Sequence, residues 1–158
     1  MDAQATASYA SAREYVLAAY ADSISGSRDG LFCVLCEADF PEQAREALDK
    51  TAAALGYGDN GVTFVARASS TPLDTDDLFA IIEGLDPLCV IAADAGSAKC
   101  LERAYRTTLP LMAPCRAGGR TVRAFADFES LMKTPGLKQQ AWAQLKTLPR
   151  LNALRSKG

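Results

Sequence analysis

Three short runs restrict what this chain can fold into: Leu31–Cys36 (LFCVLC), Val62–Ala66 (VTFVA) and Leu88–Ala93 (LCVIAA) contain no charged residue. A strand with one face in water alternates apolar and polar side chains. An unbroken apolar run of this length belongs to a strand covered on both faces, the pattern of parallel sheets flanked by helices. The intervening stretches carry the helical period. From Pro41 to Gly56, Ala44, Leu48, Ala52 and Leu55 recur on one face, with proline at the first turn. Asp74–Leu85 opens with acidic residues, which suit the positive end of a helix dipole, and Ser97–Tyr105 is the next helix. Thr121–Ala126 reads as a fourth strand and Pro135–Leu148 as the last helix. An opening helix at about 8–24 places Tyr9, Ala12, Val16, Ala19 and Tyr20 on one side, and Gly26, Ser27, Asp29 and Gly30 break it. The expectation is a three-layer α/β/α sandwich around a four-stranded parallel sheet. With no internal repeat or linker, residues 1–158 read as one domain.

Composition narrows the function classes. The 158 residues, 49% apolar and 23% charged, suffice for a single buried core. No apolar run nears the roughly 18 residues of a membrane span. The N-terminus has no basic segment leading into an apolar one, so no secretory signal and no membrane partner are expected. Five cysteines, an odd number without a dense framework, point to a reducing cytoplasm. Net charge is −2, but residues 1–99 hold 6 Lys/Arg against 16 Asp/Glu, and residues 100–158 hold 11 against 3. That asymmetry marks either a basic face for phosphate or an acidic partner, or two halves that neutralise each other in the fold.

In a parallel sheet, ligands bind at the carboxyl ends of the strands. Those ends read Cys36-Glu37-Ala38-Asp39-Phe40, Arg67-Ala68-Ser69-Ser70, Asp94-Ala95-Gly96-Ser97 and Asp127-Phe128-Glu129-Ser130. Acids gathered at one rim bind a divalent cation or polarise a water. Asp and Ser after strands also cap the next helix, and for Asp94 and Glu129 capping or a solvated loop is the simpler reading. Cys33 and Cys36 have C-x-x-C spacing but lie within one strand, where residues three apart point to opposite faces. They do not ligate one metal, and no cofactor is expected.

Within Thr121–Leu148, a strand and turn lead into Leu131, Met132, Lys133, Thr134, Pro135, Leu137, Lys138 and Trp142. This spacing resembles the C-terminal motif of the uracil-DNA glycosylase superfamily, and the resemblance extends from about Leu31 to Leu148. It implies the strand order 2-1-3-4. It also implies that Glu37 and Ala38 correspond to the motif whose acid positions the attacking water. Cys36 and Phe40 crowd that turn, where relatives carry glycine and proline. Phe64 takes the place of the asparagine that reads the base, and Asp94 that of a glycine. Asp127 and Phe128 replace the histidine and proline of the last motif, and the chain contains no histidine. A carboxylate at the histidine's position repels the negative charge that develops on the departing base. The resemblance thus implies a degenerate domain that binds rather than catalyses, its partner DNA or a replication or repair protein. Arg116, Arg120, Arg123, Lys133 and Lys138 are the candidates for phosphate contact. The competing reading is a DNA glycosylase or nucleotide-base hydrolase using Glu37 and Asp127. No iron-sulfur cluster is expected, and Leu131, Met132, Leu137, Trp142 and Leu145 read as core.

Overall fold

The apolar runs form the centre of a six-stranded sheet in a computed structural model that describes residues 2–37, 40–67 and 72–151, with side chains from residue 11 onward. In chain order the elements are α1 (Asp2–Ala19), β1 (Ile24–Gly26), β2 (Phe32–Cys36), α2 (Glu42–Ala54), β3 (Val62–Ala66), α3 (Thr75–Leu85), β4 (Cys89–Ala92), α4 (Ala95–Tyr105), β5 (Cys115–Ala117), β6 (Arg120–Ala124), α5 (Phe128–Leu131) and α6 (Pro135–Leu145). The strands lie in the order β1-β3-β2-β4-β6-β5. The pairs β2/β3, β2/β4 and β4/β6 are parallel, while β1 and β5 pair antiparallel with β3 and β6.

The chain is therefore α/β as expected, but its sheet is mixed and has six strands, not four parallel ones. The two extra strands are three residues long and lie at the edges, largely exposed or half-buried. They carry no unbroken apolar run, so the signal that marks the inner strands is missing. The opening helix ends at Ala19 instead of continuing to residue 24, because Ile24–Gly26 pairs with Thr63–Val65.

Strand alternation divides the core into two layers. Phe32, Val34 and Cys36 pack with Ala44, Leu48 and Ala52 of α2 and with Phe128, Ala141 and Leu145. Cys33 and Leu35 pack on the other side with Val16, Leu78, Ile81, Ile82 and Leu101 of α1, α3 and α4. A Cβ at Gly84 of α3 would collide with Val16, so glycine there is what lets α1 approach.

Arg123 departs from its expected role. It is 4% exposed on β6, so it does not reach a phosphate. Its guanidinium donates to the Val122 carbonyl and to Thr147 Oγ1, both at 2.8 Å, and its Nε has no partner among the described residues. No carboxylate pairs with it among those residues; Thr147, which accepts from it, donates in turn to the Gln144 carbonyl near the negative end of α6. A buried charge without an ionic partner costs more than a fitted apolar side chain. Arg123→Met is expected to raise the unfolding free energy by about 1 kcal/mol in urea titration. Arg123→Ala, which leaves a cavity, is expected to lower it by about 2 kcal/mol.

Candidate functional site at the carboxyl ends of the strands

Arg67 follows β3 and organises this edge. Its Nε donates to Ser97 Oγ at 2.7 Å and its Nη2 to Asp94 Oδ1 at 3.0 Å, and Glu37 Oε1 lies 3.5 Å away. Asp94 Oδ1 also accepts the Ser97 amide at 2.7 Å, capping α4. Gly96 permits the arrangement: a Cβ there would lie 2.6 Å from Arg67 Nη2. The positive end of α4, which commonly attracts an anion, is thus shared with an internal cation and neutralised by an internal carboxylate.

Asp127 also serves as a cap. It accepts the Ser130 hydroxyl at 2.6 Å and the Ser130 amide at 3.2 Å, starting α5. The Ser130 hydroxyl, then its amide, hold this exposed carboxyl below its ordinary range. Since the folded form favours the ionised acid, the contribution is complete above the unfolded value near 3.8 and vanishes as pH falls through the lower folded value. Asp127→Ala is expected to cost about 0.5–1 kcal/mol at pH 7. Urea titrations on both proteins should show that deficit closing at the acid end of the range, below about 3.8.

Aromatic side chains fill the space beside these acids. Phe40 packs between Phe64 and Phe128 with ring centroids 6.2 and 6.5 Å apart, Phe125 meets Phe128 edge-on at 5.2 Å, and the Arg45 guanidinium lies 4.0 Å over Phe64. Cys36 is buried, donates to the Val65 carbonyl at 3.7 Å, and burial pushes its thiol up to about 12. Ala38 lies outside the described residues. Glu37, Phe40, Asp94, Asp127 and Glu129 line what space is left, about 70 Å³. That holds a few waters, whereas ligand pockets start near 300 Å³. Glu37 and Asp127 therefore border one depression, but the first is drawn towards Arg67 and the second is held by Ser130. Cys33 and Cys36 belong to opposite layers of the core. Among the described residues, no three His, Cys, Asp or Glu side chains are grouped to hold a metal, and no helix is long and apolar enough to cross a membrane.

The expected phosphate contacts do not converge. Arg120 is bound between Glu83 and Asp86 at 2.5 and 2.8 Å, so it is committed to the fold. Arg116 is exposed and donates to the Gly119 carbonyl within its own hairpin. Lys133 pairs with Glu129 at 3.6 Å, and Lys138 is exposed on α6. A different group does gather: Lys99, Arg103 and Arg106, with Glu102, Thr107 and Thr108, surround an open concavity of about 570 Å³ at the end of α4, where the one carboxylate, Glu102, accepts the Leu109 amide at 2.8 Å. None of these three cations has an ion pair among the described residues. Arg103 and Arg106 belong to the basic set of residues 100–158 that the sequence offers for phosphate; Lys99 falls outside it, and its place four residues before Arg103 on one helix was the signal that would have added it. Leu137 and Trp142, expected in the core, are 37% and 40% exposed.

No protein-family model matches the chain, and no curated protein matches it in sequence.

Proposed function

We propose that this chain is a non-catalytic binding domain of uracil-DNA glycosylase-like architecture whose partner is a nucleic acid. The observation that carries the reading is the filled carboxyl edge. Phe40, Phe64 and Phe128 pack together beside the two candidate acids, and both acids have internal partners, which supports a site closed to a base. The order β3-β2-β4-β6 of the inner strands within the six-stranded sheet supports the architectural part of this reading. The cationic concavity of Lys99, Arg103 and Arg106 supports a backbone-directed, sequence-tolerant contact.

Fluorescence anisotropy with labelled single- and double-stranded oligonucleotides tests this. Three phosphate contacts give a slope of log affinity against log salt of about −2 for single strands and −3 for duplex. Lys99→Gln, Arg103→Gln and Arg106→Gln combined should bring the slope close to zero. No binding to either at low salt would remove nucleic acid and leave a protein as partner. The same oligonucleotides, carrying uracil and treated with alkali after incubation, should remain uncut. Cleavage that Glu37→Ala abolishes would establish the glycosylase reading instead.

A further inference from the structure

We infer that the groove between α2 and α6 is a binding site for a small, planar, apolar acid. The inference does not rest on the nucleic-acid reading, since the groove shares no residue with the concavity at α4. Its floor is Phe128, Met132, Ala141 and Leu145, all buried. The indole of Trp142 forms one wall and Ala47 of α2 helps form the other. Ala141 and Leu145 make the core contacts of α6, so the fold does not need Trp142 in its interior. Leaving so large an apolar surface at the mouth of an apolar groove is what a ligand site does.

Size selects the occupant. The groove encloses about 380 Å³, within the range of small-molecule pockets. Charge selects the head group. Lys50 stands on α2 and Lys138 on α6, and neither has an ion pair among the described residues. Glu46 is the sole carboxylate among the lining residues, so the rim carries an excess positive charge that meets an anion. The exposed indole face favours a flat ring over a branched chain.

Trp142 is the only tryptophan, so its indole N–H gives one cross-peak in a proton–nitrogen NMR spectrum. Titration with 2-naphthoate is expected to shift that peak saturably. Calorimetry should give at least tenfold weaker binding for the neutral 2-naphthylmethanol. Lys50→Gln combined with Lys138→Gln should weaken 2-naphthoate tenfold or more, leave 2-naphthylmethanol within about twofold, and leave the melting temperature unchanged. The inference is overturned by any one of three results: no saturable shift at millimolar 2-naphthoate, equal affinity for acid and alcohol, or undiminished affinity for the acid in the double variant.

Discussion

Phe128→Ala is expected to lower the unfolding free energy by about 3–5 kcal/mol, the range for deleting a fully buried aromatic ring. Phe128 is 0% exposed, meets Phe125 edge-on at 5.2 Å and Phe40 at 6.5 Å, and forms part of the groove floor. It also anchors α5, a helix of four residues too short to hold itself. Urea titration followed by circular dichroism should show the midpoint falling with little change in slope. Phe128→Leu should recover most of the loss, because it restores volume without the ring. A cost below about 1 kcal/mol would mean that the edge is open rather than filled, and would undercut the non-catalytic reading. Opening this space is not expected to create uracil excision, since Glu37 and Asp127 keep their Arg67 and Ser130 partners.

The second large effect is at Arg67. Arg67→Ala is expected to cost about 2–4 kcal/mol, less than the loss of a fully buried ion pair and far more than that of a surface one. The side chains of Arg67 and Asp94 are 18% and 22% exposed, and the Ser97 hydroxyl that Arg67 reaches is buried. Glu37, at 67% exposed, accounts for little of it. Arg67→Lys should recover less than half, because an ammonium cannot reproduce the fork that serves Ser97 and Asp94 together. Gly96 supplies a test by sign. With Arg67 present, Gly96→Ala must displace the guanidinium from 2.6 Å and should destabilise. With Arg67→Ala already in place, the same change should stabilise by about 0.5–1 kcal/mol, the ordinary preference of a helix for alanine over glycine. A Gly96→Ala effect that is the same in both backgrounds would show that Arg67 does not lie across the turn.

The contrast between these residues shows how far reading the chain alone can go. Asp94 was legible as a cap because a cap needs only a short side chain before a helix and an amide three residues on. Asp127, singled out instead for its place in the last motif, caps α5 in the same way, and Glu129, the other acid expected to cap or to face solvent, pairs with Lys133. Arg120 and Arg123 looked like the exposed cations around them, yet both have limited access to solvent. Glu83 and Asp86, which hold Arg120, lie 37 and 34 residues earlier, and Thr147, which receives Arg123, lies 24 residues later. Trp142 was misplaced for a related reason. Leu137, Ala141 and Leu145 form one stripe of α6 and Trp142 lies at its flank, so the spacing does not decide how far the covered face extends; Ala141 and Leu145 are buried, and the two large side chains on either side are not.

By itself the sequence determined the inner strands, the helices between them and the α/β class, because these depend on local period and on apolar runs with no polar interruption. Tertiary structure alone decided which acids and cations are spent on the fold and which remain for a partner. Availability depends on what a side chain meets across the sheet, and packing brings those neighbours together from distant parts of the chain. The same applies to the edge strands, which exist only because β3 and β6 offer them a ladder, and to the groove beside Trp142, which is the space that α2 and α6 leave between them.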